Sequence, residues 1–373
     1  MPHSILKNEP ISKRYRYDGR EVFTLTPLQQ EARDKIRAKL QSGQYSVQNV
    51  SCPLCESGMA HLLAEKDAYG LPVRTVLCRN CSLVYTSPRL TDTALPEFYG
   101  SEYRDLDRAL PSSKAYFDLE QSKGPTILEP FVTNGLVKRM MGRLVIEIGC
   151  GAGGVLAYFR EQGFDVLGCD LVPKNLEYGI RMHGLDLHYG GLAAVKNIVA
   201  ERGQQVGLII YEQVFEHLLD PKAELEELRS FMPRNSLLYI GVPGLRNIDN
   251  HYASDFIRFL QLPHLVQFDL DRLSSMLSLS GFSLLVGDER VRAVFEPTDA
   301  RTGLRRGNYE ATLEFLVALE KRRRCKAFWT MLEQLPLMIG LKVRDGISSS
   351  LLPNPLKEHA IIAMKSIYRW VRR

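Results

Sequence analysis

Long hydrophobic runs are missing from this chain of 373 residues. A helix that crosses a membrane needs about 20 consecutive apolar residues, and no stretch approaches that length. The first 20 residues are polar and charged, and they lack the apolar centre of a secretory signal. We therefore expect neither a membrane span nor secretion, and the expected location is the cytoplasm.

Internal repeats and low-complexity segments are also absent, which excludes a repeat or fibrous architecture. Hydrophobic residues make up 45% of the chain and charged residues 24%, as in ordinary globular proteins. The length indicates one large domain accompanied by smaller parts.

Charge is distributed unevenly. Residues 301–373 contain 15 Lys and Arg against 6 Asp and Glu, a net charge of +9. Because the whole chain carries +5, the other 300 residues sum to −4. The basic character therefore belongs to the C-terminal tail, where Lys321–Arg324 and the final IIAMKSIYRWVRR mix basic with apolar residues. This pattern predicts a helical tail that either packs on the core or lies on a membrane surface.

Apolar runs alternate with amphipathic segments from residue 143 onward. LVIEIG, FDVLGCD, LDLHYG, VGLIIYEQ and SLLYIGVP are predicted strands, with helices between them, and SLLVGDER and VRAVFEP follow as two more. This alternation predicts an α/β fold with a Rossmann-like, doubly wound, mostly parallel sheet. Earlier in the chain, LQQEARDKIRAKL predicts a short helix that Pro27 begins.

Five segments follow from these patterns. They are an N-terminal helical extension (1–50), a zinc-binding module (51–90), a linker with helices (91–140), the catalytic domain (141–300) and the basic helical C-terminal region (301–373). The module holds four cysteines and little else to pack.

Those cysteines form two Cys-x-x-Cys pairs, Cys52 with Cys55 and Cys78 with Cys81, separated by 22 residues. In a cytoplasmic chain, this pattern favours a metal over disulfides. Four thiolates suit a closed tetrahedral zinc site, which folds a segment and leaves no position open for a substrate. We predict a structural Zn²⁺ there.

A glycine-rich loop, EIGCGAGG at 147–154, joins the first of the later strands to a helix. That context is typical of cofactor binding, because glycines permit a tight turn and close backbone approach. Glu147 inside the strand end favours a cationic cofactor, but the glycine spacing also fits a dinucleotide. Asp170, at the end of the second strand, would accept hydrogen bonds from the ribose of either cofactor.

The successive motifs EIGCGAGG, GCD, YEQVFEHLLDP and GVPG resemble those of class I S-adenosylmethionine-dependent methyltransferases over about residues 143–285. The segment CRNCSLVYTSPR resembles the zinc module that precedes such domains in sugar and surface-glycan methyltransferases. The resemblance implies that the cofactor is S-adenosylmethionine. The residues that it implies for cofactor binding are Glu147, Gly149, Cys150, Gly151, Gly153, Asp170, Leu171, Glu212 and Gln213.

By the same resemblance, the methionine moiety would lie along the glycine loop and the sulfonium beside Glu212 and Gln213. The adenine contact falls within residues 188–192. Gly207 departs from the aspartate that the family often has near the start of the fourth strand.

A base must take the proton when a hydroxyl is methylated, and histidine suits that role near neutral pH. His251 and His264 follow the fifth strand, where such folds build the acceptor pocket, and His217 lies in FEHLLDP. We predict His264 as the catalytic base, because Pro263 restrains its backbone, with His217 as its rival.

Sugar C-methyltransferases, which the chain also resembles, carry Tyr-x-Glu-His in this insert. His264 matches, but Gln261 and Pro263 occupy the tyrosine and glutamate positions. This departure favours O-methylation.

The sequence thus predicts O-methylation of a sugar hydroxyl in surface polysaccharide or glycolipid biosynthesis. The partner is a sugar or glycan acceptor, with no nucleic acid expected and with peripheral membrane contact through the basic tail at the inner membrane face. The alternatives are a nucleotide-sugar C-methyltransferase and a zinc-ribbon enzyme that modifies nucleic acid. Quinone, lipid and other small-molecule acceptors also stay open.

Overall fold

The computed structural model describes residues 9–107 and 112–325 of the chain. Helix α1, Pro27–Ser42, begins where the sequence predicts. The Thr26 side chain accepts a hydrogen bond from the Gln29 N–H, and the Gln29 side chain accepts one from the Thr26 N–H. This reciprocal cap satisfies two N–H groups that the first turn leaves free. The helix ends at Gly43 in the left-handed conformation.

The cysteine module contributes to two small antiparallel sheets. Its strands are β1 (Val47–Gln48), β2 (Ala60–Ala64), β3 (Thr75–Cys78), β4 (Val84–Thr86) and β5 (Arg89–Leu90). Strand β3 pairs with both β2 and β4, and β1 pairs with β5.

The prediction that this segment has little to pack is wrong. Every residue of β3 and β4 is buried. Leu62, Val76 and Tyr85 belong to the same apolar cluster as the large sheet of the C-terminal half. The module therefore shares a core with the rest of the protein. The region before the module is also tied in, since Tyr15 and Ile36 are fully buried.

Within the described residues, four helices connect the module to the large sheet: α2 (Leu95–Gly100), α3 (Tyr103–Asp107), α4 (Ser113–Gln121) and α5 (Gly124–Thr133). Strands and helices then alternate as β6 Leu144–Ile148, α6 Gly154–Glu161, β7 Asp165–Asp170, α7 Pro173–His183, β8 Leu187–Tyr189, α8 Leu192–Arg202, β9 Val206–Glu212, α9 Pro221–Phe231, β10 Leu237–Gly241, α10 Ile248–His251, α11 Phe256–Phe259, β11 Val266–Gln267, α12 Leu270–Leu279, β12 Phe282–Gly287 and β13 Arg292–Pro297. Short 3-10 turns lie at Lys13–Tyr15, Val137–Arg139, Phe215–His217 and Leu245–Asn247. Residues 309–325 are helical.

The large sheet has seven strands in the order β12-β13-β10-β9-β6-β7-β8. Strand β13 runs antiparallel to both of its neighbours, and the pairings from β10 through β8 are parallel. Alternate residues of β6 enter different apolar clusters: Ile146 packs with α8, α9 and α12, and Val145 packs with α5 and α6. Helices therefore cover both faces, which confirms the predicted doubly wound, mostly parallel sheet.

An insert between β10 and α12 carries α10, α11 and β11. Strand β11 does not join the large sheet. It pairs with β4 and completes a four-stranded sheet with the cysteine module, in the order β11-β4-β3-β2.

The helical segment 309–325 packs on this side through Leu316 and Leu319, both fully buried. Among the described residues, no helix has the length and apolar character needed to cross a membrane. The predicted tail beyond residue 325, including the final basic stretch, lies outside the described residues.

Candidate active site and cysteine cluster

The chain changes direction across the sheet between β6 and β9. It proceeds from β6 to β7 and β8 on one side, then returns to β9 and β10 on the other. In open α/β sheets, ligands bind outside the carboxyl ends of the strands at such a point. The glycine loop follows β6, Glu212 ends β9 and Gln213 follows it, so the topology brings these predicted residues together.

The glycine loop depends on its glycines. Gly149, Gly151 and Gly153 have φ of 72°, 56° and 79°, in the region that disfavours residues with a Cβ. A Cβ on Gly151 would lie 2.5 Å from the Tyr116 hydroxyl oxygen, and one on Gly149 would collide with the Val214 side chain. Helix α6 begins directly after this turn, at Gly154.

Asp170 holds the loop from the next strand. Its Oδ2 accepts a hydrogen bond from the Gly151 N–H at 2.9 Å, and its Oδ1 accepts one from the Val172 N–H at 2.7 Å. A carboxylate oxygen can accept more than one hydrogen bond, so both oxygens keep capacity for ribose hydroxyls. Leu171 beside it is 63% exposed.

Glu147 lies beneath the loop, 2% exposed, and its Oε2 has no hydrogen-bond partner among the described residues. Burial and then the Glu120 charge raise its pKa well above the usual range, with Glu212 and Asp170 adding to the effect. Lys123 opposes them, with its Nζ 3.1 Å from a Glu120 oxygen and 3.7 Å from a Glu212 oxygen. Four carboxyl groups thus lie near the Lys123 ammonium, and the Arg104 guanidinium adds a second positive charge near Asp170. This excess suits a positively charged ligand, such as the ammonium and sulfonium of S-adenosylmethionine.

A cleft of about 460 Å³ opens from this point. The sequence-predicted residues on its wall are Gly149, Glu212, Gln213, His217 and His264. The structure therefore brings both predicted histidines to the same cleft as part of the predicted cofactor site. His251 is exposed and does not line it.

The two histidine rings are perpendicular, with centroids 5.0 Å apart. The His217 Nδ1 lies 3.2 Å from the Tyr99 hydroxyl. Burial lowers the pKa of His264 to about 4, and burial together with His264 lowers the pKa of His217 well below its ordinary value. Both imidazoles are therefore neutral near pH 7, the state in which histidine accepts a proton.

Sequence reasoning missed Glu216, which is 1% exposed beside the histidines. Its two carboxyl oxygens have no hydrogen-bond partner in the described structure, and one of them lies 3.7 Å from the His217 Nε2. Burial raises its pKa to about 8. Its place within FEHLLDP, next to His217, was the available signal.

The tyrosines of the cleft were missed as well. Tyr103, Tyr116 and Tyr252 line it, and Tyr99 supports His217 from behind. The predicted linker 91–140 therefore contributes part of the cleft wall. The aromatic pattern FYGSEY was the sequence signal, but its position gave no indication of what it contacts.

The four predicted metal ligands converge. The sulfur of Cys52 lies 3.4 Å from that of Cys81, and the sulfur of Cys55 lies 3.5 Å from that of Cys78. All four sulfurs lie within 4.8 Å of one another, and none is in a disulfide. Zinc–sulfur bonds of about 2.3 Å place the corners of a tetrahedron about 3.8 Å apart. The cluster therefore has the dimensions of a four-thiolate zinc site.

Together, these observations define a class: a Rossmann-like α/β domain with a site for a cationic cofactor at its switch point. Comparison with known families identifies the type of domain. Residues 124–285 match the family model described as a methyltransferase domain. At the level of this domain, the predicted S-adenosylmethionine-dependent methyltransferase is confirmed.

Curated relatives include two ubiquinone biosynthesis O-methyltransferases. That of Bordetella avium is 30% identical over 24% of this chain and 37% of its own length. That of Xylella fastidiosa strain M23 is 25% identical over 36% of this chain and 57% of its own length. The chain thus spans roughly two to three fifths of the length of these relatives. Among solved structures, the magnesium protoporphyrin IX methyltransferase from Synechocystis PCC 6803 is 16% identical in sequence, with a TM-score of 0.38. The match covers 55% of this chain and 98% of the chain in that structure.

Proposed function

We propose that this chain transfers the methyl group of S-adenosylmethionine to a sugar hydroxyl, in surface polysaccharide or glycolipid biosynthesis. One observation supports this most directly: a single cleft contains Gly149 of the glycine loop and also His217 and His264. A methyl donor at the loop and an acceptor at the histidines would share that space, as an in-line displacement requires.

In this proposal, the cofactor lies along the glycine loop. Asp170 accepts hydrogen bonds from the ribose, and Glu147 with Glu212 offsets the positive charge of the methionine end. When bound, S-adenosylmethionine supplies an electrophilic methyl group. Gln213, which lines the cleft, has φ of 58°, a backbone conformation that is strained for a residue with a Cβ.

His264 acts as the base. Its neutral imidazole takes the proton of the acceptor hydroxyl while the oxygen bonds to the methyl carbon. S-adenosylmethionine would supply the methyl group and leave as S-adenosylhomocysteine, with the electron pair of the carbon–sulfur bond kept on sulfur. His264 then loses the proton to solvent as the products leave.

C-methylation of a nucleotide sugar is the second candidate, and one observation favours it. Gln261 and Pro263 lack the side chains of the Tyr-x-Glu-His arrangement, but Tyr252 lines the same cleft and Glu216 lies beside His217. A tyrosine and a carboxyl group outside residues 261–263 therefore lie in or beside the cleft that holds the histidines. The argument for O-methylation from Gln261 and Pro263 is weaker for that reason.

We also propose that Cys52, Cys55, Cys78 and Cys81 bind one Zn²⁺. The convergence of their sulfurs supports this. The ion would supply no chemistry to the methyl transfer, because a four-thiolate site is closed. It would tie the turns between β1 and β2 and between β3 and β4 together.

The test is a methyl-transfer screen with cofactor labelled in the methyl group. Acceptors would include nucleotide sugars, glycans, glycolipids, phenols such as quinone precursors, and RNA. Label in a base-stable ether of a sugar product supports O-methylation, and label on a sugar carbon supports the second candidate. Turnover confined to phenols or RNA would refute a sugar acceptor.

A further inference from the structure

The cysteine module and the acceptor insert are parts of one sheet. Strand β4 begins three residues after Cys81 and pairs antiparallel with β11: Tyr85 lies opposite Val266, and Val84 lies opposite Gln267. His264 stands two residues before β11. The sheet of the module therefore includes the strand that follows the proposed base.

Hydrogen bonds fix the backbone of that segment at His264 itself. The Thr86 Oγ1 donates to the His264 carbonyl oxygen at 2.9 Å, and the Gln267 side chain donates to the same oxygen at 2.8 Å. The Thr86 N–H donates to the Leu265 carbonyl at 2.9 Å. Thr86 is 1% exposed, so water does not replace these bonds in the folded protein.

The module also holds the start of the segment. The Ala68 N–H donates to the Leu260 carbonyl at 2.9 Å, and the Leu262 N–H donates to an Asp67 carboxyl oxygen at 3.1 Å. Residues 260–265 are thus attached at both ends to residues 67–86. In contrast, the residues predicted to bind cofactor lie on β6, β7 and β9 and their loops.

We propose that Thr86 is a positioning residue for His264, and that the cysteine module holds the backbone of residues 260–265 so that the base keeps its position in the cleft. This inference rests on the proposed function, since it takes His264 as the base. A base must lie within about 3 Å of the proton that it removes. A misplacement of about 1 Å costs roughly 10²-fold in rate, so a bond to the backbone of His264 matters more to turnover than to cofactor binding.

The chain offers a matched control in Thr75. It lies directly opposite Thr86 in the β3–β4 pair and is fully buried. Its Oγ1 has no hydrogen-bond partner within the described structure. Thr75→Val and Thr86→Val therefore each remove a threonine hydroxyl, from neighbouring positions of one sheet. Of these two hydroxyls, the one of Thr86 is bonded to the His264 segment.

The experiment compares Thr86→Val, Thr86→Ser and Thr75→Val with the wild-type full chain. We expect Thr86→Val to lower kcat by roughly 10- to 100-fold, with unchanged KM for the acceptor and unchanged affinity for S-adenosylhomocysteine by calorimetry. Thr86→Ser keeps the hydroxyl and should restore kcat, and Thr75→Val should match the wild type. Wild-type kcat in Thr86→Val, or an equal loss in Thr75→Val, would overturn the proposal.

A second measurement needs no acceptor. In the complex with S-adenosylhomocysteine, the His264 ring gives an NMR signal that Asn substitution of His264 identifies. Thr86→Val should displace or split this signal, and the other two variants should leave it unchanged. If the wild type methylates no sugar, the proposed function fails, and this spectrum alone decides whether Thr86 positions His264; an unchanged spectrum in Thr86→Val refutes it.

Discussion

His264 and His217 share one cleft but differ in their partners. The His217 ring is bonded to Tyr99, whereas the backbone of His264 is held by Thr86 and Gln267. A ring whose nitrogens make no hydrogen bond within the described residues, as for His264, is the better candidate to receive a proton from an acceptor.

We therefore expect His264→Ala to reduce turnover by roughly 10²–10⁴-fold and to leave the affinity for S-adenosylhomocysteine intact. Steady-state kinetics and calorimetry measure the two quantities separately. His217→Ala is the companion variant, expected to cost less. Near-normal turnover in His264→Ala, combined with a large loss in His217→Ala, would assign the base to His217 instead.

Burial of His264 also predicts a pH dependence. Histidine acts as a base only when neutral, that is, above its pKa in the folded protein, and burial places that pKa near 4 instead of 6.5. The acid limb of kcat/KM should therefore lie near pH 4. The unfolded chain takes up this proton below pH 6.5 and the folded protein does not, so stability should fall as pH drops from 6.5 towards 4.

Urea unfolding at each pH separates these two effects. Replacement of His264 by Asn should reduce the loss of stability in that window, and His217, whose pKa is also lowered, accounts for a further part of it. An acid limb of kcat/KM near pH 6.5 in protein that is still folded would point to a solvent-exposed base.

The glycine loop gives a prediction about cofactor binding. Gly151→Val places a branched residue at φ of 56° and its Cβ 2.5 Å from the Tyr116 hydroxyl, so it should abolish S-adenosylhomocysteine binding, as should Asp170→Ala. Gly203→Val is the control, because Gly203 has φ of 62° with nothing within 4 Å of its Cβ position. It carries the same backbone strain and should bind normally. Tight NADH binding by the wild type would contradict the cofactor assignment.

At the scale of elements, the strands and helices of the catalytic domain were predictable and the walls of the cleft were not. Strand β6 is apolar at nearly every position, as expected of a strand with both faces buried. Thr26 and Pro27 indicate the start of α1, because a capping side chain followed by proline is typical of a helix N-terminus. The contact between Tyr99 and His217 joins residues 118 apart in the chain. No local pattern encodes such a contact, so α2 and α3 read as a linker.

The prediction that the cysteine module has little to pack was wrong for the same reason. Its strands are short, and their burial depends on β11 and the large sheet, which lie far along the sequence. The ligand set, in contrast, was predictable, because the spacing within each Cys-x-x-Cys pair brings two sulfurs to one point.

We predict that purified protein contains about one zinc per chain and that Cys78→Ser lowers the thermal midpoint more than it alters cofactor affinity. The reason is that the ion would close turns of the module and the cofactor loop lies on another sheet. Cys325→Ser is the control, since Cys325 is exposed and outside the cluster. Fully folded wild-type protein without metal, shown by elemental analysis and calorimetry, would refute this prediction.

At the scale of the whole molecule, residues 301–373 carry a net charge of +9, whereas the other 300 residues sum to −4. Part of the basic run is already paired, since Arg322 bonds to Asp249 and Arg323 to Glu320. The charges beyond residue 325 would decide any membrane contact at the inner face. We predict that the full chain sediments with anionic vesicles at low salt and not with neutral vesicles, and that high salt releases it. Failure to sediment at low salt would leave a tail that packs on the core.

The sheet that β4 shares with β11 has a consequence for how the chain is made. Thr86 and the carbonyl that it binds are 178 residues apart, so at about 5–20 residues per second a ribosome needs on the order of 10–40 s to supply the partner. During that interval, β4 presents an unpaired edge, which is the feature that lets nascent chains associate with one another. The first quarter of this chain would therefore expose that edge until β11 has been synthesised.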